Sequence, residues 1–132
     1  MNQPSANSSP DALMTRDGAS FAGLHVTVDL FEAIELDNIN FIETVMRECV
    51  VECGATLLHI HLDHFTPNDG VTGVAVLAES HISVHTWPER GFAAFDLFMC
   101  GEAQPEKAID ILEARFCAKR TAVNVFRRGL NL

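Results

Sequence analysis

The stretch from Leu77 to Gly101, LAESHISVHTWPERGFAAFDLFMCG, holds the side chains whose types and spacing could do chemistry. Ser80 supplies a hydroxyl, His85 an imidazole and Cys100 a thiol. These are the groups with which proteins attack carbonyl carbons and transfer protons. Taken singly, each has an ordinary explanation as a strand serine, a hydrogen-bonded histidine or a small buried hydrophobe. A chemical role therefore has to be argued from their joint spacing.

The pattern around these residues predicts a β-hairpin. Polar and apolar residues alternate from His81 to Thr86, which is typical of a strand. Residues 87–91 (WPERG) contain the proline and glycine that mark a turn. A hairpin that turns at the middle of this segment would place Ser80 opposite Phe98, with Cys100 as its diagonal neighbour on the same face. The hydroxyl and the thiol would then share one face of the hairpin.

His85 does not fit that simple ladder, because it lies five residues after Ser80. An odd offset along a straight strand points two side chains to opposite faces. The two residues would also lie roughly 16 Å apart at about 3.3 Å per residue. If they act together within this strand, the chain must bend or bulge between them, as strands do beside some active sites.

The segment GVTGVAVLAESHISVHTWPERGFAAFDLFMCG resembles the core of the prokaryotic S-adenosylmethionine decarboxylases. Its Glu-Ser-His, His-Thr-Trp-Pro-Glu and Cys-Gly elements stand in the order and spacing of that family, and a weaker likeness runs from about Gly23 to the C-terminal strand. The resemblance implies a chain that cuts itself between Glu79 and Ser80. The serine oxygen would attack the preceding carbonyl to give an ester, and elimination and hydrolysis would leave a pyruvoyl group at the start of the second fragment. That ketone is a built-in cofactor, which forms a Schiff base with the substrate amine and accepts the electrons left by carbon dioxide, as pyridoxal phosphate does.

The resemblance also assigns roles to single residues. Ser80 matches the pyruvoyl precursor, His85 the histidine that transfers a proton in processing, and Cys100 the cysteine that returns a proton to the substrate. A thiol suits that step, since its reference pKa of about 8.5 lies near working pH. Thr72 stands where the family often has a serine that supports processing. The substrate-binding residues implied are Phe65, matched through a one-residue loop shift and stacked on adenine, His85 on the other side of adenine, and Glu89, which would bind the ribose hydroxyls.

The sequence departs from the family pattern at Arg90 and Phe92, where tyrosines are common. The self-cleavage residues are untouched by these changes, but the substrate is left open. One alternative is the same pyruvoyl chemistry acting on arginine or ornithine. Another is a homologue that keeps the fold, binds a ligand and does not cut itself.

Histidines and cysteines elsewhere in the chain offer a metal or redox alternative. His59, His61 and His64 form an H-x-H-x-x-H run, and imidazoles suit zinc. A single strand rarely brings three ligands to one ion, so a histidine-lined surface is favoured and no metal site is assigned. Cys49 and Cys53 lie one turn apart on an apolar helical stripe, which favours packing against the core over a redox pair.

The composition bounds the class of protein. The chain has 132 residues, of which 48% are apolar, and a formal net charge of −9. This predicts one globular domain over residues 21–132, after a disordered leader over residues 1–20. The acidic charge argues against nucleic acid as a partner. Because there is neither an apolar run of about 20 residues nor a secretory signal pattern, the sequence predicts no membrane association and a cytoplasmic location.

The order of predicted elements is strand, helix, three or more strands, helix and strand. The first helix would begin at an Asp37 cap and end at Gly54, and the second would begin at Pro105. This order predicts an α+β fold, a two-layer sandwich with one antiparallel β-sheet and two helices packed on one face. The resemblance adds that such protomers pair as homodimers, with residues of both chains near each active site.

Overall fold

The computed structural model describes residues 13–132, which form two layers. One layer is a six-stranded antiparallel sheet with the strand order β4-β5-β6-β7-β3-β8, and two helices pack on one of its faces. A separate two-stranded hairpin precedes the sheet in the chain. The predicted α+β sandwich is confirmed. The elements are β1 (Met14–Arg16), β2 (Ala19–Phe21), β3 (Gly23–Phe31), α1 (Ile39–Cys53), β4 (Leu57–Phe65), β5 (Gly70–Leu77), β6 (Ser80–Trp87), β7 (Phe92–Met99), α2 (Lys107–Arg115) and β8 (Arg120–Arg128).

Alternation along the central strands separates a helix-facing core from an open face. In β3, Val26 and Val28 are fully buried, whereas the intervening His25 and Thr27 are half-buried on the opposite side. Because successive side chains point to opposite faces, the same division runs through β6 and β7. The open face therefore carries the polar side chains and several exposed aromatic rings.

Helix α1 seals the other face through the stripe that its sequence predicts. Its cap is Asn38 rather than Asp37: the Asn38 side chain accepts a hydrogen bond from the Phe41 amide at 3.1 Å. Gly54 ends the helix at φ 75°, in the left-handed region that glycine enters without steric cost. The residues that α1 buries are Ile42, Val45, Met46, Cys49, Val50 and Cys53.

Helix α2 begins two residues later than predicted, at Lys107. Pro105 and Glu106 instead form a tighter turn, in which the Ala108 amide donates to the Pro105 carbonyl at 3.0 Å. The segment between β7 and α2 is thereby fixed as a short loop. Its Gln104 amide donates to the Cys53 carbonyl at the end of α1 at 2.8 Å.

The expectation of a disordered leader over residues 1–20 does not fit residues 14–20. Strands β1 and β2 pair antiparallel around an Asp17-Gly18 turn, with Met14 opposite Phe21. Met14, Phe21 and Leu24 are buried together in a small cluster of their own, which offsets the entropy of ordering this segment. Residues 1–12 lie outside the part of the chain that the structure describes. Within residues 13–132, no helix is long and apolar enough to cross a membrane.

Candidate active site

The peptide bond between Glu79 and Ser80 lies at the tip of a tight turn that joins β5 to β6. Leu77 pairs with Ser80, so Ala78 and Glu79 alone make the connection. Both turn residues are exposed, and Glu79 has φ 62°. A non-glycine residue in this left-handed region is strained by about 1–3 kcal/mol. The bond that the sequence singles out is thus accessible and follows a strained residue.

The register of the next hairpin differs from the predicted one by a single residue. His81, not Ser80, is opposite Phe98, because Trp87 pairs with Phe92 and four residues turn the chain between them. Alternation then groups Ser80 with the buried Ile82, on the helix side of the sheet. The predicted sharing of one face by Ser80 and Cys100 is therefore wrong.

Cys100 nevertheless lies near the cleavage turn. It directly follows β7 and is half-buried. Burial raises the pKa of the Cys100 thiol, and the negative charge of Glu79 raises it further. The thiol is therefore protonated at neutral pH, as a proton donor must be.

A second group of sequence-predicted residues meets at one pocket at the far end of β5 and β6. This pocket of about 240 Å³ is lined by Phe65, Thr72, His85 and Glu89, together with the loop from Thr66 to Asn68. Thr72 is directly opposite His85, and the Thr72 hydroxyl and His85 Nδ1 share a hydrogen bond of 3.2 Å. The side chains proposed for binding and for processing support thus meet around one concavity.

The loop between β4 and β5 orients one wall of this pocket. Asn68 Nδ2 donates to the Glu89 carboxylate at 3.1 Å, which ties this loop to the turn after β6. Arg90 does not line this pocket; it borders a separate aromatic concavity formed with Phe31, Trp87 and Phe92. The departure from the family pattern at Arg90 and Phe92 thus falls beside the pocket rather than inside it.

Strand β6 runs without a bulge from Ser80 to His85. Its pairing with β5 is continuous from Leu77 opposite Ser80 to Thr72 opposite His85. The bend that would bring these two residues together within one chain is absent from this strand. At about 3.3 Å per residue they lie roughly 16 Å apart. In one protomer, Ser80 and Cys100 are at one end of the strand and His85 and its pocket at the other.

The histidines of β4 do not converge. His61 Nε2 is 3.0 Å from a carboxylate oxygen of Asp63 on the same strand. His64 Nε2 is instead 2.7 Å from the carbonyl oxygen of Asp37, in the loop before α1. No group of three potential metal ligands occurs among residues 13–132. Cys49 and Cys53 are buried thiols that face the core, as their helical spacing predicts, and burial raises the pKa of Cys53 to about 11.

An ionic cluster lies on the open face beside the cleavage turn, and no motif or spacing in the sequence predicts it. The Asp96 carboxylate contacts His25 on one side and His81, at 3.0 Å, on the other. Arg128 Nη1 lies 3.1 Å from His25 Nδ1. Burial raises the pKa of Asp96, but the two histidine hydrogen bonds more than offset this, so the pKa lies below its ordinary value. The cluster brings together β3, β6, β7 and β8, and only the sheet register reveals it.

Comparison with known proteins shows the family of the chain. The family model described as S-adenosylmethionine decarboxylase matches residues 24–129. The chain belongs to this family. An S-adenosylmethionine decarboxylase proenzyme of Thermomicrobium roseum is 42% identical over 82% of this chain and 94% of the relative. Another, from Methanococcus maripaludis, is 45% identical over 82% and 90% of the two chains.

The fold agrees with that of a solved member of the family. The crystal structure of the adenosylmethionine decarboxylase from Aquifex aeolicus superposes with a TM-score of 0.74 and 33% identity, over 83% of this chain and 92% of that one. The S-adenosylmethionine decarboxylase match begins at residue 24, which is the second residue of β3. The β1–β2 hairpin therefore precedes the matched region.

Proposed function

We propose that this chain is a self-cleaving, pyruvoyl-dependent S-adenosylmethionine decarboxylase that makes the aminopropyl donor for spermidine synthesis. The observation that carries the proposal is the Glu79-Ser80 bond at an exposed, strained turn, with the Cys100 thiol close to Glu79. Membership of the S-adenosylmethionine decarboxylase family supports the reaction and the substrate.

Self-cleavage begins at the Ser80 hydroxyl, which attacks the carbonyl carbon of Glu79 and displaces the amide nitrogen to form an ester. The left-handed conformation of Glu79 favours this step, because breaking the peptide bond releases the strain of about 1–3 kcal/mol stored there. The pyruvoyl ketone that results supplies an electron sink for decarboxylation. Ser80 fits this precursor role, since it is half-buried at the very start of β6.

Cys100 then protonates the substrate carbon from which carbon dioxide has left. Burial and the nearby Glu79 charge raise the thiol pKa, so the proton is present when it is needed. At the other end of β6, Phe65 stacks on the adenine with His85 on its opposite side. Glu89, held by Asn68, accepts hydrogen bonds from the ribose hydroxyls.

A homodimer in the cytoplasm unites these two halves of the site. Within one protomer the unbroken strand keeps Ser80 and His85 at opposite ends, roughly 16 Å apart at about 3.3 Å per residue. A second copy placed antiparallel to the first, with its His85 end beside the Glu79-Ser80 turn, would bring its own His85 and Thr72 to that turn. This arrangement accounts for the roles of both residues in cleavage without a bulge.

The proposal is tested by following the purified chain on a denaturing gel and by mass spectrometry. We expect two fragments, residues 1–79 and 80–132, of 79 and 53 residues. The second should begin with a ketone and not an amine. Ser80→Ala should remain uncut and inactive, whereas the control Ser83→Ala, on the same strand, should be cut.

Release of carbon dioxide is then compared among S-adenosylmethionine, arginine and ornithine. The proposal expects release from S-adenosylmethionine alone. A wild-type chain that stays whole and releases no carbon dioxide from any of the three would refute it.

A further inference from the structure

The β1–β2 hairpin is built onto the loop that carries Cys100. Its small core of Met14, Phe21 and Leu24 is separate from the main core of the sheet. Leu24 is directly opposite Met99, the residue that precedes Cys100. The hairpin is thus seated at the N-terminal end of the segment from residue 99 to residue 106.

Arg16 of the hairpin holds the other end of the same segment. Its guanidinium donates to both Glu106 carboxylate oxygens, at 2.6 and 3.4 Å, and reaches the Ala103 carbonyl at 3.5 Å. Burial raises the pKa of Glu106, but the Arg16 hydrogen bond more than offsets this, so the pKa lies below its ordinary value. The pair is therefore ionised at neutral pH, and a bidentate arginine fixes direction as well as distance.

Between these two anchors the chain makes a sharp turn. Gly101 has φ 65°, and the Ala103 amide donates to the Cys100 carbonyl at 3.3 Å. A space of about 500 Å³ lies between hairpin and loop, lined by Thr15, Arg16, Gly101 and Glu102 among others. The Arg16 contacts with Glu106 and Ala103 cross this space.

We propose that the hairpin, through Arg16, positions the Cys100 loop so that the thiol delivers its proton to the substrate carbon. This inference rests on the proposed decarboxylase function and assigns Arg16 as a positioning residue for it. The hairpin lies before the region matched by the family model.

The consequence of misplacing the thiol is chemically distinct from a loss of stability. After carbon dioxide leaves, the electron pair can take its proton at the substrate carbon or at the protein carbon. Protonation at the substrate carbon, followed by addition of water, releases the amine product and restores the ketone. Protonation at the protein carbon leaves the substrate nitrogen on the protein, and water releases an aldehyde. The second fragment then begins with alanine, and that site is permanently inactive.

The test compares Arg16→Met, which keeps the apolar stem but removes the donors, with Arg47→Met as the matched control. Arg47 pairs with Glu43 at 3.0 Å on the exposed side of α1, away from the loop. For Arg16→Met we expect complete cleavage and an unchanged KM. We expect kcat to fall about tenfold, within the roughly hundredfold loss that a 1 Å misplacement can cause. The fraction of second fragments that begin with alanine after turnover should rise about tenfold as well.

A second readout needs no active enzyme. In the uncut Ser80→Ala background, site-resolved alkylation should proceed faster at Cys100 once Arg16 is replaced. The exposed Cys117 in the same chain gives the reference rate. Glu106→Gln removes the other partner of the same ion pair, and it replaces Arg16→Met as the test if Arg16→Met does not fold. Arg16→Lys keeps the charge but not the bidentate geometry, so it should keep only part of the wild-type kcat and of the Cys100 protection.

The outcomes separate this inference from the function on which it rests. A wild-type chain that is not cut refutes the function. If the wild type works but Arg16→Met and Glu106→Gln change only the melting temperature, with kcat, alanine fraction and Cys100 alkylation as in Arg47→Met, the positioning role is wrong.

Discussion

The Cys100 thiol and the Glu79 carboxylate influence each other at the cleavage turn. Burial is the larger cause of the raised Cys100 pKa, and the Glu79 charge is the second. Cleavage after Glu79 would add a main-chain carboxylate to the same residue, so the negative charge near the thiol would increase. The proposed cut would then both create the electron sink and help to keep the proton donor protonated.

Replacement of Glu79 by glutamine tests this coupling. Removing the negative charge lowers the pKa of Cys100, so the thiol loses its proton at a lower pH. We expect the alkaline limb of the kcat–pH profile, measured per cleaved chain, to move to lower pH in Glu79→Gln. Glu43→Gln, an equivalent change on the exposed side of α1, should leave the limb in place. A limb that does not move in Glu79→Gln would mean that another group sets it.

Asp96 on β7 links three adjacent strands of the sheet through its contacts with His25 and His81. Its side chain is about a third exposed, at 32%. We therefore expect Asp96→Asn to lower the free energy of unfolding by about 1 kcal/mol, less than a fully buried charged hydrogen bond would contribute. The measurement is denaturant unfolding in the Ser80→Ala background, where the chain is whole, at one protein concentration for all variants because the stability of a dimer depends on concentration.

The pH dependence of this effect has a definite sign. Because the folded pKa of Asp96 lies below its ordinary 3.8, the stabilisation is present above that value and is lost as the pH falls through the folded pKa. The difference in the free energy of unfolding between the parent and Asp96→Asn should be largest at neutral pH and should disappear in acid. Asp63→Asn removes a similar but more exposed contact with a histidine on β4. This substitution should lower the free energy of unfolding by less than about 0.5 kcal/mol.

The elements differ in how far the sequence predicts them. The α1 stripe and its Gly54 end follow from 3.6-residue periodicity and from the left-handed cap, both of which are local. His81 pairs with Phe98 because the turn between β6 and β7 has four residues, whereas the predicted turn had an odd number. A register shift of one residue moves every side chain of the strand to the opposite face of the sheet. The β1–β2 hairpin did leave a signal in its Asp17-Gly18 pair, which the polar composition around it obscured.

The residues of the candidate site also differ in how far the sequence predicts their positions. Ser80, Cys100 and the residues around His85 were found because a family motif fixes their spacing along the chain. Which of them meet in one protomer was not predictable, since that depends on whether β6 is straight. Arg16 and the Asp96 cluster were missed because their partners are distant in sequence: 90 residues separate Arg16 from Glu106.

At the scale of the whole molecule, the separation of Ser80 from His85 makes a prediction about pairs of chains. Ser80→Ala and His85→Ala are expressed separately and then together in one cell. Each alone should stay uncut. Together, the His85→Ala chain should be cut, because the Ser80→Ala chain supplies the missing imidazole across the dimer. Fragments of mass-tagged chains identify which copy was cut.

Two results would oppose a shared site. A His85→Ala chain cut fully on its own removes His85 from processing. Failure of the mixed sample to cleave, although the two chains copurify, would place both residues in one protomer and require β6 to distort.

The position of the proposed cut at a turn, and not inside a strand, makes maturation a one-way event. Six residue pairs still join β5 to β6 after the break, so the halves stay together without a covalent link. Once unfolded, however, the neighbours β5 and β6 belong to separate molecules. In the mature form they must meet by diffusion. In the precursor a two-residue loop joins them, and only that short loop has to close. Recovery of the mature form from denaturant should therefore depend on concentration and compete with aggregation, whereas the uncut precursor should regain its fold readily.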